Sequence, residues 1–301
     1  MVSDFIQRSY APTTLPTYLR HWSDYKTFLQ ENNLGRSLPS TTPKVAMFIA
    51  DLARRGKSAG VLRATLSSIA WFHNIRCLPD PTKALPISRI LQGVKKNGAP
   101  PARKDAITKQ ILKDILAATD LMTDAFQRSA IKSLFLLAYH GCFRIGELCK
   151  SNNLAHTIRI ENVSFVRHRG EQQTHLVITL NTFKHSQQPA TIAIQPNPQT
   201  AHCPVEALKD YLRRRLPNTG PLFISQTGTP LSRAQVVKIL KWALTKSGHQ
   251  AKCFNTHSFR IGRATDLALS GCPDSLIRET GRWASNAFMQ YLRFNIFTIP
   301  L

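Results

Sequence analysis

The sequence predicts a mainly α-helical chain with a small antiparallel β-sheet, divided into two domains. Three observations carry this. Apolar residues recur at helical spacing through the first hundred positions. A run rich in Gly, Pro and basic residues then interrupts the pattern at 95–104. Alternating β-branched runs are confined to one stretch of the second part. The chain has 301 residues, 43% of them apolar, enough for a sizeable core in one large domain or two ordinary ones. That composition excludes a disordered chain, and 32 Gly plus Pro exclude a low-complexity one.

The first part reads as four helices. Tyr18, Leu19, Trp22, Tyr25, Phe28 and Leu29 form a stripe at i, i+3, i+4 spacing. Thr42-Pro43 opens a second helix carrying Val45, Met47, Phe48, Ile49 and Leu52, with Pro suited to the first helical position. Gly56-Lys57-Ser58 breaks the pattern, and Ser58 is the N-cap expected for a third helix through Leu62, Leu66, Ile69 and Phe72. A fourth, short helix fits 87–94. The ten residues 95–104 include four cations, and a boundary near 98–104 divides the chain into about 100 and about 200 residues.

The second part is mixed. Ile107, Ile111, Leu112, Ile115 and Leu116 mark one helix. Ile131, Leu134, Phe135 and Ala138 mark another, stopped at Gly141. Strands are expected at 158–163, 175–180 and 190–194, with Lys184 in the loop joining the last two. From Pro204 onward the pattern is helical again, over 204–216, 232–247, 257–270, 274–280 and 286–294.

Forty Lys and Arg against 17 Asp and Glu give a net charge of +23, which favours a polyanionic partner. The surplus is +9 over residues 1–100 and +14 over 101–301, so a basic tail on a neutral domain is excluded and both parts are expected to face the polyanion. No apolar run is long enough to span a membrane, and Met1-Val2-Ser3-Asp4 begins no signal pattern. Six cysteines without a CxxC pair read as free thiols in a reducing compartment, and His202-Cys203 has no second ligand pair at zinc spacing. No metal and no cofactor are expected.

Certain residues could carry chemistry. His257 and Arg260 lie three apart at the start of an expected helix, where the backbone adds a positive field. Alone, the pair reads as a surface or capping element. Arg144 sits among apolar residues with Glu147 one turn on. It reads either as an internal Arg–Glu pair or as a guanidinium held rigid to grip a phosphate. Trp283 and Tyr291 each read alone as packing, although an indole N–H can also donate to a phosphate oxygen.

Taken together, the order Arg144, Lys184, His257, Arg260, Trp283, Tyr291 resembles the tyrosine recombinase signature: Arg, a hairpin Lys, H-x-x-R, His or Trp, then the nucleophilic Tyr. The resemblance runs over most of the chain. Cre-like members carry Trp at the fifth position. The stretch from His257 to Tyr291 is also similar to recombinases of Crypton and Ngaro/DIRS transposable elements. The resemblance implies a two-domain C-shaped clamp: a helical core-binding domain over 1–98, a basic linker over 99–104, and an α+β catalytic domain over 105–301 with a C-terminal tail at 292–301. It implies no cofactor or metal. It also implies the chemistry of a Tyr oxygen attacking a DNA phosphate to form a 3′-phosphotyrosyl link. Arg144 and Arg260 would grip the non-bridging oxygens, Trp283 would add a neutral donor, and His257 would assist proton transfer. Lys184 would protonate the leaving 5′-oxygen, with His185 as a competitor for that role. Glu147 would orient Arg144 or His257.

Double-stranded DNA is the expected partner. Arg20 and Arg63 on helices, Lys57 and Ser58 in the break between helices, and Lys95, Lys96, Arg103 and Lys104 in the basic run are the candidate DNA contacts. For any one of them a solvated face is an equal reading. Arg213-Arg214-Arg215 reads either as a backbone contact or as a solvated helix end. The apolar tail is expected to dock on a neighbouring protomer, with a homo-tetramer assembled on two DNA sites and no membrane association. The expected location is the nucleus in a eukaryotic host and the cytoplasm or nucleoid otherwise. Origin in a mobile element is expected. Two rival readings are a domesticated, non-catalytic DNA-binding protein and a type IB topoisomerase-like relaxing enzyme.

Overall fold

The computed structural model describes residues 9–10, 13–98, 103–150, 156–167, 173–182, 188–197, 202–216 and 218–293. Residues 99–102, Lys184 with its loop, and 294–301 of the tail lie outside the described residues. The chain divides into two compact units, Met1–Ala102 and Arg103–Leu301.

The first unit is built on helices α1 (Thr14–Glu31), α2 (Thr42–Arg54), α3 (Ala59–Asn74) and α4 (Leu85–Asn97). Its core joins Trp22, Tyr25, Phe28 and Leu29 to Val45, Phe48, Ile49, Leu62, Leu66, Ile69, Phe72 and Ile87. Trp22 stacks on Phe72 with ring centroids 4.3 Å apart. Pro43 stands in the first turn of α2, and the Ser58 hydroxyl caps α3 by accepting the Val61 N–H at 3.4 Å. Two residues of the expected stripes face out: Leu19 is 52% and Met47 48% exposed. Met47 follows the core position Val45 by two residues, and a helix turns about 100° per residue, so it leaves the buried face.

In the second unit, α5 (Lys109–Thr119) and α6 (Ala125–His140) lead into the four-residue helix α7 (Ile145–Leu148). Asp124 caps α6 through the N–H groups of Phe126 and Gln127, at 2.9 and 3.1 Å. Strands β1 (Val163–Val166), β2 (His175–Leu180) and β3 (Ala190–Ile194) form an antiparallel sheet in that order. Leu180↔Ala190 is the last pair of the β2–β3 register. Helices α8 (Pro204–Arg214), α9 (Arg233–Lys246), α10 (Ser258–Leu269) and α11 (Asp274–Gly281) follow, and a 3₁₀ turn spans Asn286–Tyr291. Ten of the sixteen residues of α6 are buried, with Phe135 packed on Phe259 of α10 at 5.2 Å. Gly262 lets the chain at Ile107 lie against α10: a Cβ there would meet the Ile107 carbonyl oxygen at 1.7 Å.

Three expectations are corrected. The strand expected at 158–163 begins only at Val163, because Ile158 donates its N–H to Glu147 and accepts from Leu222. Its backbone groups are thus engaged outside the sheet. The helix expected at 286–294 is a 3₁₀ turn that stops at Tyr291. Arg215 is not part of a solvated helix end. It is 1% exposed and donates to the carbonyls of Leu222, Thr219 and Pro221. Arg213 and Arg214 pair with Asp210 at the surface.

Candidate active site

The site is assembled from three places in the second unit. The first is the turn Gly141–Arg144 and the start of α7. Arg144 stands just before α7, and Glu147 is the third residue of that helix. The spacing brings the Glu147 carboxylate back onto Arg144, where it accepts the backbone N–H at 2.9 Å and Nη1 at 3.1 Å. The Glu147 side chain is 3% exposed and that of Arg144 25%.

The second is the start of α10. His257 precedes the helix, is exposed, and donates its backbone N–H to Asn255 Oδ1 at 2.8 Å. One turn on, Arg260 is fully buried. It donates Nη1 to the Cys142 carbonyl and Nη2 to the Gly281 carbonyl, the latter at 2.9 Å. Its guanidinium carbon lies 4.7 Å from the centre of the Trp283 ring and 5.8 Å from that of Tyr291. Cys142 has φ of 48°, a left-handed backbone that turns its carbonyl toward these arginines. Burial pushes the Cys142 thiol pKa up.

The third runs from the end of α11 to Arg293. Gly281 is required here, since a Cβ would lie 1.7 Å from the Trp283 ring. Arg282 takes the left-handed conformation, φ 54° and ψ 49°, and ends α11. Trp283 folds back edge-on to Tyr291 at 4.9 Å, and the His257 ring lies 4.8 Å from the Tyr291 ring. Tyr291 is held from behind. Phe288 is fully buried beside Ala264 and Ile277, and the Thr265 hydroxyl donates to the Tyr291 carbonyl at 3.5 Å and accepts the Arg293 N–H at 3.1 Å. Among the described residues, the buried Trp283 indole N–H has no hydrogen-bond partner.

Sequence reasoning missed Arg282. Its guanidinium is 6% exposed, pairs with Glu147 at 2.9 Å, and donates to the carbonyls of Gly141 and Cys142 at 3.2 and 3.4 Å. Burial draws its pKa down, opposed by the Glu147 charge. A polar residue between Gly281 and Trp283 was the available signal; its partner lies 135 positions away.

Thus Tyr291 is in contact with His257, Arg260 and Trp283, Arg260 also touches Trp283, and Arg144 joins them through Glu147, Arg282 and the Cys142 carbonyl. Lys184 lies outside the described residues. Three guanidinium groups and one carboxylate leave the cluster with a formal charge of +2, an environment suited to a doubly coordinated anion beside a phenol. Among the described residues, no group of three or more His, Cys, Asp or Glu side chains converges as a metal site.

The candidate DNA contacts are dispersed. Arg20, Lys57, Ser58, Arg63, Lys95, Lys96 and Arg103 are exposed, and Ser58 is engaged as a helix cap. Lys104 donates its ammonium to the Lys252 carbonyl at 2.7 Å. Among the described residues, no helix is long and apolar enough to cross a membrane.

Residues 106–295 match the family described as the Phage integrase family. The chain is 26% identical to an integrase/recombinase xerD homolog of Selenomonas ruminantium, over 97% of this chain and 85% of that protein. It is 23% identical to the Cre recombinase of Escherichia phage P1, over 87% and 78% respectively. Its fold is shared by the XerH site-specific recombinase bound to difH substrate, with TM-score 0.65, 17% identity, and coverage of 94% of this chain and 76% of that one. It is also shared by the Tn1549 transposon integrase in complex with transposon right-end DNA, with TM-score 0.62, 15% identity, and coverage of 98% and 94%.

Proposed function

The chain belongs to the phage integrase family and is a tyrosine recombinase, and from that premise we propose that it cuts and rejoins double-stranded DNA at specific sites through a covalent 3′-phosphotyrosyl intermediate. The observation that carries this is the excess of two positive charges in an arginine cluster whose buried Arg260 lies against the Tyr291 ring.

A free phenol has a pKa of about 10 and is a weak nucleophile at neutral pH. In the proposed step the Tyr291 oxygen attacks phosphorus, the P–O5′ bond breaks, and the strand departs as a 5′-hydroxyl. Arg144 and Arg260 stabilise the charge that grows on the non-bridging oxygens. The rings of Trp283 and Tyr291 lie over Arg260, so the phosphate reaches this guanidinium as those rings part. The unpaired indole N–H of Trp283 then gains an acceptor. His257, beside the nucleophile, takes part in moving the phenol proton. Lys184 delivers a proton to the 5′-oxygen. The phosphodiester energy is kept in the tyrosyl ester and returned on religation.

The Lys184 role has a direct test. Lys184→Ala is expected to slow single-turnover cleavage of ordinary DNA by roughly 10²–10⁴-fold, the usual contribution of a general acid. A 5′-bridging phosphorothiolate, whose thiolate departs without a proton, is expected to restore the rate. Absence of rescue would move the acid role to another group, His185 first.

Arg20, Lys57, Ser58, Arg63, Lys95, Lys96, Arg103 and Lys104 are proposed DNA contacts, and affinity should fall steeply with salt. We assign the protein to a mobile element, in keeping with the phage and transposon sources of two relatives. The working assembly proposed is a tetramer on two sites, with the tail docking in trans. Removing residues 292–301 is expected to impair synapsis of two sites, seen by gel mobility, more than binding to one. Unchanged synapsis would mean that the tail packs on its own protomer.

A further inference from the structure

We propose that Arg282 is a positioning residue for cleavage: it shares the Glu147 carboxylate so that Arg144 is oriented without being neutralised, and it holds the Arg144 and Arg260 supports in one frame. The inference rests on the reading of Arg144 and Arg260 as phosphate ligands. Glu147 shares its two oxygens between the guanidinium groups. Oε1 accepts from Arg144 Nη1 at 3.1 Å, and Oε2 accepts from Arg282 Nη2 and from the Arg144 backbone N–H, each at 2.9 Å. An arginine and a carboxylate left to themselves favour a two-pronged pair, which would turn the donor edge of Arg144 wholly onto Glu147. Arg282 occupies the second prong. It also donates to the Cys142 carbonyl, the acceptor used by Arg260 Nη1, so both clamp residues are referred to the same peptide unit. Its own backbone is adjacent to the Gly281 carbonyl that fixes Arg260 Nη2. Its charge is already met by the Glu147 carboxylate, so Arg282 acts through these neighbours and not on the phosphate itself.

The test compares single-turnover cleavage and DNA affinity for the wild type, Arg282→Gln, Arg282→Lys, Glu147→Gln and the double variant Arg282→Gln/Glu147→Gln. Arg282→Gln is expected to cleave about 10–100-fold more slowly, the usual scale for a group one step behind the reacting centre, with affinity within about threefold. The double variant is expected to lose less than the product of the two single losses, because a neutral amide cannot capture Arg144 while the Arg282 bonds to the Gly141 and Cys142 carbonyls are lost in both backgrounds. Additive losses, a wild-type rate for Arg282→Gln, or a loss confined to affinity would overturn the proposal. Should Arg282→Gln fail to fold, Arg282→Lys decides. Its point charge cannot span Glu147 and the Cys142 carbonyl, so slower cleavage is expected and an unchanged rate contradicts the role. The wild-type reaction is the control for the underlying reading: a wild type that forms no covalent complex refutes that reading, whereas a reactive wild type with indifferent Arg282 variants refutes only this inference.

Discussion

Tyr291→Phe is expected to abolish the covalent protein–DNA complex and leave DNA affinity within about twofold. The ring lies between His257 and Trp283 and against Arg260, and phenylalanine keeps all of those contacts. Phe288 and the two hydrogen bonds of Thr265 hold the backbone whichever ring is present. Only the phenol oxygen is lost. Removing a nucleophile of this kind lowers the rate by roughly 10⁴-fold or more. Trapping on a nicked suicide substrate measures the first quantity and gel mobility the second. Residual trapping near the wild-type level would exclude Tyr291 as the nucleophile, and equal loss of binding would point to a structural role.

Arg260→Ala is expected to have the second largest effect, on stability and chemistry together. Arg260 is fully buried, and its loss leaves the carbonyls of Cys142 and Gly281 without their donors and opens a cavity beneath Trp283 and Tyr291. Charge-assisted bonds contribute about 1.5–3 kcal/mol each, so the second unit should lose roughly 3–5 kcal/mol. For about 200 residues this lowers Tm by about 10 °C. Below that temperature, cleavage should still be down by at least about 10³-fold, the effect expected for loss of a proposed phosphate ligand. Arg260→Lys separates the two: it keeps the charge and should recover part of the stability, but it cannot fork to two carbonyls and a phosphate. Calorimetry and single-turnover cleavage check both. A stable, active Arg260→Ala variant would contradict the geometry.

Most of the helical framework could be read from spacing because its stripes are long and its caps are local, as with Ser58 and Pro43. Failures came where tertiary partners override a local pattern. Residues 286–294 have helical spacing, yet the hydroxyl of Thr265 takes the groups that a continuing helix would use. Ile158 looks like a strand residue but bonds to Glu147 and Leu222. Arg215 shares the composition of its exposed neighbours, yet a cluster of carbonyls from 219–222 draws it inward. At the site, Arg144, His257, Arg260, Trp283 and Tyr291 could be picked out from their order along the chain. Arg282 could not, because its meaning depends on Glu147 having a second oxygen to offer.

The most direct test of the central claim is the chemical identity of the trapped species. Wild-type protein reacted with suicide DNA would be digested with nuclease and protease, and the nucleotide-bearing peptide sequenced by mass spectrometry. The account predicts a 3′-phosphonucleotide ester on Tyr291, in a peptide that includes the Asn286–Tyr291 turn. An adduct on another residue, or strand cleavage with no adduct at all, would contradict it.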